Sequence, residues 1–364
     1  MIAANLRIRL GKSVNGLRQH PIMCAAPAAL CFLWMVASLA VAFQHGPAHH
    51  RHMAVADRTS SGNLKAPYGL AVGPTGTLYV IDPSTDQIFR RTRDGKFVVF
   101  AGNGTRGFSG DGGSAISAEL RLSQYSGLAV SSNGTVYVAD SGNNRVRSIN
   151  HAGVINTVAG DGKTGGFAAT SQTIAGIEAR LNFPAGLAWG PHGLCIAAQD
   201  VFVLSDRSEL SLLAGRRSDV SAAHQGSQGW FSTTVSTIAF NQLGDLFDAN
   251  NNELYELSPS GRSRDIGAFR NGAVTSTPTG ELFEVHGVIT HIRARNSRVL
   301  MSLTRLGRLL AGANASLSPE AITATPSGKM IYVDATVQGD SSAGDAAIFE
   351  VPQNGRPHAI WTAR

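Results

Sequence analysis

"YSGLAVSSNGTVYVADSGNNRVRSINHAGVINTVAGDG", residues 125–162, contains four short apolar segments separated by three turns. Two of these turns, "SNG" and "HAG", end in glycine, which tight hairpins favour because it readily adopts a positive φ. We therefore predict a meander of four antiparallel strands over this stretch.

The same pattern recurs along the chain. Each copy begins with an apolar strand, a tight turn ending in glycine and a second strand, and the turn glycines of the copies are Gly76, Gly134, Gly193, Gly244, Gly280 and Gly328. A lone four-stranded sheet cannot cover both of its faces, whereas six sheets around one axis can. Repeats of this size with hairpin turns predict an all-β fold, a six-bladed β-propeller of four-stranded antiparallel blades over residues 66–364.

Residues 101–162 also resemble the NHL repeat. The resemblance lies in "AGNGTRGFSGDGGSAISAEL" at 101–120, in the strand pairs that follow and in "DSGNNR" at 140–145. The Asp-x-x-x-Asn-Arg element is absent from the fourth to sixth copies. The resemblance implies a bacterial NHL-type propeller, membrane-anchored or secreted, of a family whose six-bladed members usually bind other molecules, although a few propeller relatives are lyases or hydrolases.

The N-terminal part has a different character. A basic segment at 1–21 precedes residues 22–43, which contain no charged side chain and are long enough for a helix that crosses a bilayer. Basic flanks stay in the cytoplasm, so residues 1–21 are predicted to be cytoplasmic and the C-terminal domain to lie outside, at the cell membrane. The alternative is a cleaved signal peptide and a secreted protein, because Ala40-Val41-Ala42 resembles a cleavage site.

Residues 44–65 are polar, broken by glycine and proline, and are interpreted as a linker. The net charge is +6, but the first acidic residue is Asp57, and four basic residues precede position 20. The remainder is only mildly basic, which argues against nucleic acid as a partner. Cys195 is the one cysteine after the apolar segment, so no disulfide framework is expected, and it is predicted to be a core residue.

Loop lengths distinguish the two faces of the predicted ring. The first and third turns of the copies are short, whereas the links between successive copies are long at 103–124, 161–183 and 216–233. Function on a rigid scaffold concentrates in long loops, so we expect a ligand on this face. The predicted contacts are Phe108, Asp111, Arg145, Phe167 and Trp230.

A structural interpretation of the same residues is the alternative. "FSGDGG" at 108–113 would then fold between blades, with Phe108 in the core and Asp111 capping a turn. Residues 140–145 would form a structural turn, with Arg145 paired to Asp140 or to a neighbouring blade.

Catalytic motifs are lacking. The sequence contains no Gly-x-Ser-x-Gly elbow, and His224, His286 and His291 are scattered without the spacing of metal ligands. The histidines at 45, 49, 50 and 52 could bind a metal adventitiously, but a solvated linker is the favoured interpretation. Asp82, Asp140, Asp248 and Asp334 recur at what look like equivalent positions, which favours a role in folding. We predict no catalytic residue, cofactor or metal, and a non-catalytic scaffold that binds a protein or carbohydrate of the cell envelope. A hydrolase or lyase with a metal near the axis, which His286 could join, is the alternative.

Overall fold

The structure is a computed structural model, and the residues that it describes belong to one compact unit within Thr59–Arg364. The predicted basic segment, apolar span and nearly all of the linker lie outside the described residues. Within the described part, no helix is long and apolar enough to cross a membrane. The described ranges are 64–165, 173–198, 200–216, 230–231, 237–240, 244–249, 253–258, 263–268, 273–277, 281–285, 288–293, 296–302, 316–339, 342–354 and 356–362.

Six sheets follow one another along the described chain, and all their strand pairs are antiparallel except one parallel pair in the third sheet. This arrangement confirms the predicted all-β, six-bladed propeller. Blades 1 and 2 are β1 (Gly69–Val72), β2 (Leu78–Asp82), β3 (Gln87–Arg91) and β4 (Phe97–Ala101), then β5 (Leu128–Val130), β6 (Val136–Asp140), β7 (Arg145–Ile149) and β8 (Ile155–Ala159). Blade 3 is β10 (Leu187–Gly190), β11 (Gly193–Ala197), β12 (Val201–Leu204) and β13 (Glu209–Arg216), to which β9 (Ile174–Ala175) and β14 (Trp230–Phe231) are added.

The last three blades have four strands each. Blade 4 is β15 (Thr237–Phe240), β16 (Leu246–Ala249), β17 (Glu253–Leu257) and β18 (Ser263–Ala268). Blade 5 is β19 (Ala273–Ser276), β20 (Leu282–Val285), β21 (Val288–Arg293) and β22 (Asn296–Ser302). Blade 6 is β23 (Ser316–Ala324), β24 (Met330–Gly339), β25 (Ser342–Pro352) and β26 (His358–Thr362). Three 3-10 helices lie in the connections: Ala115–Ser117, Ser141–Asn143 and Gly176–Glu178.

The ring closes through the inner strands. The first strand of each blade contacts the first strand of the next, and β23 of blade 6 contacts β1 of blade 1. The outer strand of blade 6 is β26, which the chain's own C-terminal segment supplies. "HAIWT" is therefore the last blade's own strand. From the sequence, "HMAVAD" at 52–57 could also have supplied an outer strand, but it lies outside the described residues.

The core is divided among the spaces between neighbouring blades, because successive residues of a strand point to opposite faces of its sheet. In β1, Leu70 packs in a buried cluster with Ala321 and Ile348 of blade 6, whereas Ala71 packs with Leu128 of blade 2. The inner strand thus points a large residue toward the preceding blade and a small residue toward the following blade. The large side chain of one blade therefore packs against the small side chain of its neighbour.

Cys195 lies in the equivalent cluster between blades 3 and 4, fully buried. Burial raises the pKa of its thiol, which keeps the sulfur protonated at neutral pH. This environment confirms the prediction that Cys195 is a core residue.

A β-bulge interrupts the pairing of the third and fourth strands in every blade. In three of the blades the residue after the bulge is a buried aromatic, whereas blade 2 alone has an arginine there. In blade order the residues at this position are Phe89, Arg147, Phe202, Tyr255, Thr290 and Phe349. Blade 2 therefore carries a buried charge at a site of apolar packing.

The recurring aspartates are not all equivalent, which corrects the sequence-based interpretation. Asp82 directly follows Ile81, which pairs with Gly69 at the start of β1. Asp140 directly follows Ala139, whose N–H donates to Gly127 O just before β5. By contrast, Asp248 pairs with Ile238, and Asp334 pairs with Ala321, so both stand one or two positions earlier in the strand. A shift of one residue turns a side chain to the other face of the sheet, and sequence spacing alone did not reveal the shift.

Candidate binding site

The long connection between blades 1 and 2 pairs with the outer edge of blade 2, and its Ala115, Ala118 and Leu120 lie in the core between the two blades. Its start and end are joined by backbone hydrogen bonds from Gly102 N to Ala115 O (2.9 Å) and from Gly107 N to Leu120 O (3.1 Å). Ala115 N donates to Gly153 O (2.8 Å), which attaches the connection to the turn between β7 and β8. The connection is therefore a fixed part of the blade surface.

Arg147 is the centre of the polar contacts in this connection. Its side chain is fully buried, and Nη2 donates to Ser109 O at 3.0 Å and to Asp111 Oδ1 at 2.8 Å. Asp111 is 39% exposed, and its other oxygen accepts a bond of 2.7 Å from the Thr157 hydroxyl. A charge-assisted pair in this geometry fixes the position of residues 108–111.

Asp140 lies behind the same guanidinium. Arg147 Nη1 is 3.6 Å from Asp140 Oδ2, an ionic contact longer than a hydrogen bond. The Asp140 carboxylate accepts bonds from Arg121 N (2.8 Å) and from the Asn143 amide (2.8 and 2.9 Å). Burial raises the pKa of Asp140, and the bonds from Asn143 and Arg121 and the charge of Arg147 oppose that effect.

Phe108 is presented to solvent above this polar network. Its side chain is 41% exposed, and Arg145 Cζ lies 4.0 Å from the ring centroid, with Arg147 Cζ at 5.0 Å. Arg145 also donates to Asp161 O (2.9 Å) and Asn143 O (3.2 Å). These contacts hold an aromatic ring and a guanidinium together on the surface by a cation–π interaction.

The structure brings together three of the five predicted contacts: Phe108, Asp111 and Arg145. Phe167 lies outside the described residues, and for Trp230 only the backbone position at the start of β14 is described. The interaction of Phe108 with two arginines was not foreseen, because Arg147 has no feature in the sequence that marks it as buried.

Two details of the structural interpretation are corrected. Phe108 is not a core residue, and Asp111 pairs with Arg147 instead of capping a turn. Asp140 and Arg145 are paired in the strand register, but the arginine whose charge faces the Asp140 carboxylate is Arg147. The turn at 141–144 is structural as predicted, since Asn143 binds both Asp140 and Gly107 O (2.7 Å).

A cavity of about 360 Å³ lies on the propeller axis and is called the axial cavity below. Inner-strand residues of all six blades line it, and first-turn residues such as Ser132, Pro191 and Gly244 place it toward the face of the short turns. Loop lengths predict a ligand on the opposite face, and this cavity was not among the predicted sites. The available signal was the change from "GLAV" in the first two copies to "AVTS" and "AITA" in the last two.

The second strand of blade 6 carries a buried acid beside the inner strand. Asp334 is 1% exposed, and neither of its carboxylate oxygens has a hydrogen-bond partner in the described chain. Burial raises the pKa of Tyr68, and the charges of Glu320 and Asp334 raise it further, as Tyr125 does. Among the described residues, no group of three or more His, Cys, Asp or Glu side chains could hold a metal ion.

The chain is similar in sequence to teneurins. The sequence profile of the Teneurin NHL domain matches residues 34–149 and 94–255. Teneurin-3 of Mus musculus is 30% identical over 179 residues, which cover 44% of this chain and 6% of that protein. Teneurin-m of Drosophila melanogaster is 27% identical over 206 residues, or 50% of this chain and 7% of that protein. The chain thus spans a small fraction of the length of these curated relatives.

Several solved structures are similar to the chain at low sequence identity. Virginiamycin B lyase from Staphylococcus aureus has 14% sequence identity and a TM-score of 0.46, with 80% of this chain and 94% of that chain covered. A gluconolactonase from Xanthomonas campestris has 12% identity and a TM-score of 0.49, with 79% and 86% covered. Identity this low gives no information about activity.

Proposed function

The chain belongs to the family of teneurin NHL domains, and from that premise we propose that its propeller is a non-catalytic scaffold that binds a protein or glycan of the cell envelope. The contact surface is the outside of blade 2, centred on Phe108 and Arg145. The observation that supports this proposal best is a partly exposed aromatic ring held against a guanidinium at 4.0 Å.

Preorganisation makes this surface suitable for binding. Binding requires side chains to lose conformational freedom, at a cost of about 0.5–1.5 kcal/mol for each flexible side chain. Arg145 is already held by the carbonyls of Asp161 and Asn143, and Phe108 belongs to a segment that Arg147 anchors. Much of the conformational freedom of these side chains is therefore already lost in the unbound protein, so binding loses less of it.

The residue types fit the same function. Aromatic residues and arginine are enriched among the interface residues that contribute most to protein–protein affinity. An aromatic ring can equally stack on the apolar face of a sugar. Asp111, at 39% exposure, adds a hydrogen-bond acceptor beside the ring.

Binding of the full-length protein to a cell-envelope preparation tests the proposal. We expect Phe108→Ala to weaken binding at least tenfold. Ile177→Ala is the matched control, because Ile177 is an exposed apolar residue (57%) in the equivalent connection between blades 2 and 3. Protease treatment of the preparation would abolish binding to a protein, and periodate oxidation would abolish binding to a glycan. Equal binding by Phe108→Ala and the wild type would refute the proposed surface.

We further propose that residues 22–43 tether the propeller to the membrane, with the propeller outside the cytoplasm. The support is the uncharged stretch and its basic N-terminal flank in the sequence. Carbonate extraction of membranes and protease protection test this topology. N-terminal sequencing of the mature protein then distinguishes an anchor from a cleaved signal peptide.

A further inference from the structure

We propose that the axial cavity is a second ligand site, independent of the surface on blade 2, for an uncharged small molecule that has an apolar face and a hydrogen-bonding face. At about 360 Å³ the cavity is within the size range of small-molecule pockets, roughly 300–1,000 Å³. Two walls of different chemistry define its ligand, and both follow from the inner-strand sequences.

The apolar wall belongs to blades 1 to 4. The large apolar residues at or next to the ends of the inner strands that line it are Val72, Val130, Trp189 and Phe240. Trp189 is fixed by stacking on Tyr137, with ring centroids 5.6 Å apart and an interplanar angle of 13°. This wall offers two aromatic side chains to an apolar ligand.

Gly190 determines how Phe240 joins this wall. A Cβ atom on Gly190 would lie 2.4 Å from Cε2 of the Phe240 ring, closer than atoms can pack. The glycine therefore leaves the space that the Phe240 ring occupies beside the cavity.

The hydroxyl wall belongs to blades 5 and 6, where Thr275, Ser276, Thr277 and Thr323 line the cavity. Backbone donors fix two of these groups: the Ser276 oxygen accepts a bond from Phe240 N (3.2 Å), and the Thr277 oxygen accepts one from Glu281 N (3.0 Å). A hydroxyl can also donate its own proton and accept a second bond. Blades 5 and 6 thus supply polar groups on the side opposite the apolar wall.

The same register positions show how the two walls differ. Thr275 and Thr323 stand in β19 and β23 where β1 and β5 carry Ala71 and Ala129. Two hydroxyls therefore replace two methyl groups within one ring of inner strands.

Charge is excluded from this site. Among the described residues that line the cavity, none has a charged side chain. A charged ligand would lose hydration here without gaining a counter-charge, and such a transfer is strongly unfavourable. The walls therefore select an uncharged ligand with one apolar and one polar side.

Two fluorescent probes test this selectivity on the full-length protein. N-phenyl-1-naphthylamine is uncharged at neutral pH, and 8-anilino-1-naphthalenesulfonate has the same ring skeleton with an added sulfonate. We expect saturable binding of the uncharged probe and at least tenfold weaker binding of the sulfonate at the axial cavity. Absence of saturable binding by the uncharged probe, or equal affinity for both probes, would overturn the proposal.

A pair of tryptophan variants locates the probe. Val72→Trp places in blade 1 the residue that blade 3 already has at this position, Trp189, and fills part of the cavity. Thr75→Trp is the control, because Thr75 is exposed in the first turn of the same blade and does not line the cavity. We expect Val72→Trp to weaken probe binding at least tenfold and Thr75→Trp to leave it unchanged. Binding that survives in Val72→Trp would place the probe elsewhere and overturn the site.

Thr323→Val tests the hydroxyl wall without a change in size, and it remains informative if Val72→Trp does not fold. The probe's N–H group can donate to the Thr323 oxygen, so loss of that bond predicts about 2- to 10-fold weaker binding. Unchanged affinity would show that the hydroxyl wall does not contact the ligand. Phe108→Ala should leave probe binding unchanged, which separates a failure of this site from a failure of the proposed surface on blade 2.

Discussion

Arg147 and Asp140 lie on neighbouring strands of blade 2 with both side chains fully buried, and guanidinium Nη1 is 3.6 Å from carboxylate Oδ2. Phe89 and Phe202 occupy the position of Arg147 in the adjacent blades. Blade 2 thus has an ion pair where its neighbours have apolar packing. Arg147 of this pair also contacts Asp111 and Ser109 O, which fixes the segment that follows Phe108. The buried Arg147 side chain therefore holds in place the segment that presents Phe108 at the surface.

Arg147→Ala is predicted to lower the free energy of unfolding by about 3–5 kcal/mol, because it leaves the buried Asp140 carboxylate without its counter-charge. Arg147→Phe should lose less, since the aromatic ring refills the space as it does in blades 1 and 3. Urea denaturation of the two variants measures the difference. Equal losses in both would contradict the view that this position is an apolar packing site.

Asp334 predicts a dependence of stability on pH. Burial raises its pKa well above the ordinary value, and the charge of Glu320 adds to the shift. Between the unfolded-state and folded-state pKa values the native protein binds more protons, so stability falls as pH rises above about 4. Asp334→Asn, which stays uncharged, should remove this contribution and gain stability relative to the wild type from acid to neutral pH.

Asp206→Asn is the control for that experiment, because Asp206 is exposed in the turn between β12 and β13. Thermal unfolding from pH 4 to pH 8 gives the two pH profiles. The same pH dependence in Asp334→Asn and the wild type would argue against a protonated Asp334.

Gly190→Ala is predicted to destabilise the propeller by about 1–3 kcal/mol, because the new methyl group would collide with the Phe240 ring. Gly76→Ala makes a matched comparison: its Cβ would meet nothing within 4 Å, but its φ of +83° strains any other residue. Its cost should be about 1 kcal/mol. Only Gly190→Ala should also weaken binding of the uncharged probe, which fluorescence titration would show.

Deletion of residues 357–364 removes β26 and should prevent cooperative folding of blade 6. Ile360 and Trp361 pack against the cluster that joins blades 6 and 1, so their loss exposes apolar surface at the point of ring closure. A truncation that unfolds at the wild-type temperature in calorimetry would contradict this role of the C-terminal strand.

The sequence predicted the repeat, the number of blades and the four consecutive strands of each blade, but not the strands β9 and β14 that are added to blade 3. Local rules are sufficient for these features, since short apolar segments and the placement of turn glycines act within a few residues. Loop lengths also placed Phe108, Asp111 and Arg145 on one predicted face, but the contact between Phe108 and the arginines was not predicted.

Only the tertiary structure decided which charges are buried and where a cavity remains. Arg147 has an ordinary strand sequence around it, and its burial depends on a connection that begins more than 30 residues earlier. The axial cavity requires inner strands from all six blades, which meet only when the ring closes. Contacts between residues distant in sequence depend on the packing of whole sheets, whereas strand and turn patterns are written in neighbouring residues.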